Sequence, residues 1–133
     1  MTDPLTGRQL VEKSYEYILR LTKECAKSLV DEFSATHRRF PQGSYPKEVS
    51  ASIVQWFEKR EKNVQLFPDS NIVMSQKPNV SHMKFRGTTK DSDFIMTGTL
   101  TAFTVPDDRG ESQAFVKALV FSVDKSNFVR KRL

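Results

Sequence analysis

Two long apolar segments joined by a short turn limit the folds open to this chain. Residues 93–105 (DFIMTGTLTAFTV) and 113–123 (QAFVKALVFSV) are rich in β-branched and aromatic side chains. The turn residues PDDRG separate them, so the pattern predicts a long antiparallel hairpin. A chain of 133 residues has room for one core of ordinary size. We therefore expect a single domain over residues 1–133, built around this hairpin.

Both faces of the predicted hairpin carry apolar side chains. In residues 113–123 one face carries four large apolar residues interrupted only by Lys117, and the other face carries alternating Ala and Val; the residues are Phe115, Leu119, Phe121 and Val123 on the first face and Ala114, Val116, Ala118 and Val120 on the second. An antiparallel sheet with helices on one side normally alternates apolar and polar residues, because its other face meets water. Either another protein surface covers the second face, or the sheet curls over itself as in a barrel. We favour association over closure.

The N-terminal half of the chain reads as two helices. Apolar or small residues recur every three or four positions over residues 7–35, which predicts a long amphipathic helix with one core-facing stripe. Cys25 lies on that stripe and is interpreted as a buried structural thiol. The segment 38–46 (RRFPQGSYP) predicts a loop, and Pro46 then suits the first turn of a second helix that extends to about residue 61.

Short β-prone runs follow the helices. The segments VQLF and NIVMS flank the turn PDS at residues 68–70, which predicts a hairpin or a bent strand pair. SHMKFRG and, near the C-terminus, NFVRKR at residues 127–132 are two further candidate strands. Two helices followed by a meander of five or six strands define an α+β fold class.

Most of the net positive charge lies at the C-terminus. The chain carries a formal charge of +5, and four basic residues in the last nine positions account for +4 of it. The rest of the chain is nearly neutral, which argues against a nucleic-acid footprint across a whole face. The basic segment is either a solvated end or a localisation or RNA-contacting patch. The residues concerned are Lys125, Arg130, Lys131 and Arg132.

Catalytic and cofactor-binding patterns are mostly absent from the sequence. One cysteine and two histidines leave little material for disulfides or a metal site, and no phosphate-binding glycine motif occurs. We therefore predict no cofactor and no metal. His82 alternates with Lys84 and Arg86, so we expect it at a solvent-facing position. The enzyme alternative would need His82 beside Tyr15 or Asp93 in a pocket. No apolar run reaches the ~18 residues of a membrane span, so we expect a soluble intracellular protein without membrane contact.

The C-terminal half carries a recognisable series of features. An acidic turn leads into an apolar strand with a G-x-L step at Gly98–Leu100. A strand with phenylalanines at positions 115 and 121 follows, and then a closing segment with Phe128 and Arg130. Residues 88–133 resemble the last strands of nuclear transport factor 2-like domains. The long helix at the start of the chain also agrees with that family. That family places a β-hairpin before its third helix, whereas here residues 46–61 precede the strands of residues 63–75.

The resemblance implies a cone-like α+β domain with a curved sheet. The family contains small isomerases and dehydratases, and also noncatalytic transport modules that dimerise through the sheet face. A small basic chain without an acid/base pair looks like the minor subunit of the heterodimeric messenger-RNA export receptor. That likeness implies a larger homologous partner, contact with nucleoporins and RNA, and a location at the nucleus and nuclear envelope.

From these expectations we predict a noncatalytic adaptor that docks its partner through the sheet face. The alternatives are a small enzyme of the same fold and a basic RNA-binding module. Hydrophobic pairing should be largely insensitive to salt, whereas RNA binding by the C-terminus should weaken with salt. The predicted partner-binding residues are Phe103, Val105, Phe115, Val116, Ala118, Phe121 and Phe128, and the predicted nucleic-acid contacts are Lys125, Arg130, Lys131 and Arg132.

Overall fold

Two helices pack on one face of an antiparallel sheet, so the predicted α+β class is confirmed. The computed structural model describes residues 7–33, 40–41, 45–68, 73–74, 79–106, 108–110 and 112–131. The helices are α1, Gly7–Glu32, and α2, Tyr45–Arg60, with a short 3-10 helix at Lys125–Asn127. The strands are β1, Phe40–Pro41; β2, Gln65–Pro68; β3, Val73–Met74; β4, Val80–Thr88; β5, Ser92–Pro106; β6, Ser112–Val123; and β7, Val129–Arg130.

The apolar stripe of α1 forms because its large side chains return every three or four residues. Ile18, Cys25, Leu29 and Phe33 are all buried, as the sequence predicts. Cys25 is buried as predicted, and this burial raises the pKa of its thiol to about 12, so the thiolate is disfavoured.

The second helix buries a shorter face. Val49, Ile53 and Phe57 are fully buried, and Trp56 is half-buried with its ring edge-on to Phe57 at a centroid distance of 5.2 Å. The helix begins with Pro46 in its first turn and ends with Lys59 and Arg60, whose charges suit the negative end of the helix dipole.

The strands follow the order β1-β6-β5-β4-β2, with β3 also on β4 and β7 also on β5. The long hairpin β5–β6 is confirmed, and β4 continues the meander on the other side of β5. One part of the predicted loop is wrong, since Phe40 and Pro41 form β1 against β6. Of the two alternatives for VQLF and NIVMS, the hairpin is wrong, because β2 and β3 do not pair with each other. Both strands pair with β4 as successive parts of one sheet edge, which fits the bent strand pair.

A β-bulge in β6 changes which side chains face the core. Thr101 of β5 lies opposite Ala118, but the next residue, Ala102, lies opposite Val116, so Lys117 is an extra residue. Before the bulge, the residues at even positions of β6 face the core. After it, the residues at odd positions do, because the extra residue shifts the alternation by one position. Apolar side chains lie on both faces of β6, as predicted, but the bulge exchanges the face on which the residues after Lys117 lie. The core-facing residues of β6 are Ala114, Val116, Leu119, Phe121 and Val123.

The C-terminal segment closes the core at one end of α1. Phe128 is 6 % exposed, and its ring stacks on Phe94 at 5.0 Å and meets Tyr15 edge-on at 5.7 Å. After it, the backbone N–H of Lys131 donates to the carbonyl of Asp91 at 2.8 Å. The described part of this segment, which ends at Lys131, is therefore attached to the domain. Its interpretation as a free, solvated end is wrong for these residues.

Gly87 is required by the ring that lies over it. A Cβ at Gly87 would lie 2.2 Å from Cζ of Phe94, and that ring cannot swing away freely because it stacks on Phe128. We expect Gly87→Ala to lower the free energy of unfolding by about 1–3 kcal/mol through overpacking, as measured by urea denaturation. The control is Gly98→Ala, whose Cβ would make an ordinary 3.4 Å contact with Phe121 and should be neutral or slightly stabilising. Equal losses for the two variants would contradict this account of Gly87.

Candidate interaction surface on the outer sheet face

The sheet face opposite the helices is not covered by any of the described helices or strands. Residues of β4 and β5 alternate strictly, so one parity enters the core and the other points away from the helices. On β6 the bulge leaves Phe115, Ala118 and Val120 on the outward side. We call this surface the outer face. It has an apolar end on β5 and β6, a central row of threonines on β5 and a basic row on β4.

Two stacked phenylalanines form the centre of the apolar end. Phe103 and Phe115 are cross-strand partners, and their rings lie 5.1 Å apart at an interplanar angle of 23°. Phe115 is only 7 % exposed although it lies outside the core cluster, because Phe103 lies against it. Val120 is 63 % exposed and Val105 is 42 % exposed on the same face. An apolar surface of this kind, with large side chains left in water, is typical of a protein contact.

The outer face brings together four of the seven predicted partner-binding residues. Phe103, Val105, Phe115 and Ala118 point outward. The other three do not. Val116 and Phe128 are buried in the core of the domain itself, and Phe121 packs against that core from the same side. Their assignment to the partner surface is corrected, because the bulge turns Val116 and Phe121 inward and Phe94 stacks on Phe128. Val120, which also points outward, is not among the predicted partner-binding residues. The sequence does not distinguish it from Val116, because both are valines at even positions of β6.

Three basic side chains point outward from β4. His82, Lys84 and Arg86 lie opposite Thr99, Thr97 and Ile95 of β5. His82 is exposed, as predicted, and its Nδ1 lies 3.2 Å from Oγ1 of Thr99. Neither Lys84 nor Arg86 forms an ion pair with an acid within the described part of the chain. The basic row therefore presents its charge to solvent.

A groove of about 470 Å³ extends the outer face towards β2 and β7. Phe67, 50 % exposed, and Val129, 65 % exposed, line it together with Ile95. Arg86 and Asp93 are its charged residues. Asp93 is thus on the outer face as well, beside the end of the basic row.

The predicted nucleic-acid residues are spread over different environments. The Lys125 ammonium donates to Oε1 of Glu12 on α1 at 2.8 Å, and this contact holds the pKa of Glu12 below its usual value. Arg130 is exposed in β7 opposite Ser92. Lys131 is half-buried, and Arg132 lies outside the described residues. With Lys125 paired to a carboxylate, the segment does not present a continuous basic patch in the part that the structure describes.

A second groove, of about 620 Å³, lies between α1, the end of α2 and the β4–β5 turn. The Tyr17 hydroxyl donates to Oε2 of Glu61, and the Arg20 guanidinium lies 5.4 Å from the centroid of the Tyr17 ring. Burial, followed by the hydrogen bond to Glu61, raises the pKa of Tyr17 to about 12. The same hydrogen bond, with a weaker one from the Asn63 backbone, lowers the pKa of Glu61. These shifts favour the protonated hydroxyl of Tyr17 and the ionised carboxylate of Glu61, which are the forms that hydrogen-bond to each other. The pair is therefore better suited to packing than to proton transfer at neutral pH.

The residues of the enzyme alternative do not meet in a pocket. His82 and Asp93 point away from the helices on the outer face, whereas Tyr15 packs beside Phe128 on the helix side of the sheet. Among the described residues no group of three metal-binding side chains comes together. In the same residues no helix is long and apolar enough to cross a membrane.

Comparison with known proteins adds no relative. The sequence matches no family model, and no curated protein or solved structure matches it. The likeness of residues 88–133 to nuclear transport factor 2-like domains accordingly stays a prediction from the sequence.

Proposed function

We propose that this chain is a noncatalytic adaptor that docks a larger protein through the apolar end of its outer face. The observation that carries the proposal is the stacked pair Phe103–Phe115 with exposed Val105 and Val120 beside it. Both helices lie on the opposite side of the sheet, so no described element covers these side chains. Burial of such side chains is worth ~25 cal/mol for each Å² of apolar surface removed from water, which favours a stable protein contact.

The resemblance supplies the kind of partner. Modules of the nuclear transport factor 2-like family pair sheet face to sheet face, and we propose a partner with a homologous domain. By the same resemblance we propose a role in nuclear transport and messenger-RNA export, with nucleoporins and RNA as further contacts.

The catalytic alternative has less support from the geometry. The groove beside α1 is the larger of the two described above, but the hydrogen bond between Tyr17 and Glu61 occupies both groups. His82, the histidine of that hypothesis, lies on the other side of the sheet with Thr99. An adaptor needs only the exposed apolar end, which is present.

Photo-crosslinking tests the proposed docking surface. Benzoylphenylalanine at position 103 keeps the phenylalanine ring and adds a photoreactive benzoyl group at an exposed position. It should crosslink, in cells that make the protein, to the sheet face of an α+β domain. Peptide mapping by mass spectrometry identifies the crosslinked residues. The control carries the same photoreactive residue at the exposed position Glu58 on α2 and should not give this product. Equal crosslinking from positions 103 and 58, or products that map only to unrelated surfaces, would contradict the proposal.

Val120→Glu is expected to raise the dissociation constant of this contact about thirtyfold or more, and so to lower the yield of the crosslink when the partner is limiting. A charge placed at a contact centre costs ~2 kcal/mol or more, which is roughly a factor of thirty in the dissociation constant. Val120 is largely exposed, so the substitution should leave the fold intact, and circular dichroism checks this. The matched control is Gln55→Glu on the exposed side of α2. An undiminished crosslink in the Val120→Glu chain would place the contact elsewhere.

A further inference from the structure

The described outer face carries more positive than negative charge. His82, Lys84 and Arg86 point outward from alternate positions of β4, about 7 Å apart along the strand. The acid that accompanies them on the described outer face is Asp93. Beside the row, β5 presents Thr97 and Thr99, which carry no charge. A partner that covers the whole outer face must therefore meet the two cations Lys84 and Arg86 next to an apolar surface.

Symmetry restricts how a second copy of this chain could cover the face. When two identical sheet faces meet, the two-fold axis lies in the plane between them. Two directions of the axis keep the strands of the two copies aligned. If the axis runs along the strands over β5, β4 of one copy lies over β6 of the other. If the axis runs across the strands, β4 lies over β4. A copy shifted sideways keeps the rows apart but covers only β5 and β6.

Neither arrangement that covers the face satisfies the basic row. In the first, Lys84 and Arg86 lose water against Ala118 and Val120, which offer no hydrogen-bond acceptor from their side chains. In the second, two cationic rows face each other with little acid to separate them. Both arrangements make pairing of two identical chains less favourable, although the apolar end of the outer face is unchanged.

We infer that the partner presents a row of carboxylates opposite β4, and that the basic row selects this partner against a second copy of the chain. This inference rests on the proposed docking function and names the chemistry of its partner. Lys84 and Arg86 are free to pair with carboxylates because no described acid engages them. The basic row discriminates between the two partners because each of its cations meets a carboxylate in the mixed pair and meets none in a pair of identical chains. Pairing should then weaken with salt, in contrast to the salt-insensitive pairing expected from the sequence.

A charge-swapped copy of the chain serves as the probe. Lys84→Glu with Arg86→Glu converts the row into an acidic one at exposed positions, so the apolar end is unchanged. Sedimentation velocity is run on the wild type, the double variant and their equimolar mixture at about 20 mM salt, where the Debye length is ~20 Å. The control mixture contains Lys23→Glu with Lys27→Glu, which makes the same change in net charge on the exposed side of α1.

We expect both single preparations and the control mixture to remain monomeric, whereas the wild type and the charge-swapped chain form a mixed dimer. About 500 mM salt, with a Debye length of ~4 Å, should weaken that dimer tenfold or more. If the mixture stays monomeric, the charge is not what separates two copies and the inference is overturned. It is equally overturned if the wild type alone dimerises at low salt and Val120→Glu dissociates it. That second result would leave docking through the outer face intact, whereas the crosslinking at position 103 tests docking itself.

Discussion

Val116→Asp is expected to unfold the protein, whereas Val120→Asp should leave it folded. Val116 is 3 % exposed and faces the core before the bulge, so a carboxylate there would lie among apolar side chains. An ionised group without a partner costs several kcal/mol, a large part of the ~5–15 kcal/mol that stabilises a domain. Val120 is 63 % exposed on the outer face, and its substitution should cost less than ~1 kcal/mol.

Thermal and urea denaturation followed by circular dichroism measure this difference. The pair is informative because both residues are valines at even positions of one strand, and regular alternation would give them the same environment. If the two aspartate variants were equally stable, the shift of register at Lys117 would be wrong. If Val120→Asp were the more damaging, the outer face would be the buried one.

Phe128→Ala is expected to lower the free energy of unfolding by about 3–5 kcal/mol. The ring fills the space between Phe94 and Tyr15, and its loss leaves a cavity that neither neighbour can close while the sheet and α1 hold their positions. The neighbouring residue Val129 supplies the control. It is 65 % exposed, and Val129→Ala should change stability by less than ~1 kcal/mol.

Urea denaturation of the two variants beside the wild type gives the comparison. The Phe128→Ala chain should also show a weaker near-ultraviolet circular dichroism signal, because the stack with Phe94 is lost. A loss below ~1 kcal/mol at Phe128 would mean that the C-terminal segment is only weakly attached, and would return this residue to the group available for partner contact.

The sequence was sufficient for the elements whose periodicity is long and regular. The stripe of α1 repeats over seven turns, and β4 alternates without interruption from Ser81 to Gly87. In such segments many residues support one assignment, so a single exception does not change it. The α+β class and the hairpin β5–β6 were predictable for this reason.

The composition of the outer face was not predictable, because one extra residue decides it. Lys117 was visible as the single charged interruption among the odd positions of β6, and a bulge is the physical reason for it. The sequence alone does not say whether such a charge points to solvent from a regular strand or marks an insertion. As a result Val116 and Phe121 were assigned to the partner surface, and Val120 was overlooked.

The C-terminus shows a different difficulty. Its basic residues count equally in a sum of charges, but their contacts differ, since Lys125 pairs with Glu12, 113 positions away. Contacts at such separation depend on where α1 lies against the sheet. For the same reason β1 went unrecognised, because two residues next to a proline become a strand only when β6 is beside them.

The bulge also determines which length changes the chain can accept. In a regular strand, loss of one residue turns every later side chain to the opposite face. At Lys117 the effect is reversed: without this residue, β6 would alternate regularly from Ala114 to Val123, with the same side chains in the core and the same ones outside. A deletion here would preserve both the hydrophobic interior and the composition of the outer face, whereas a deletion at Thr99 in the neighbouring strand would exchange them. Homologues that differ in length by one residue are therefore expected to differ at position 117.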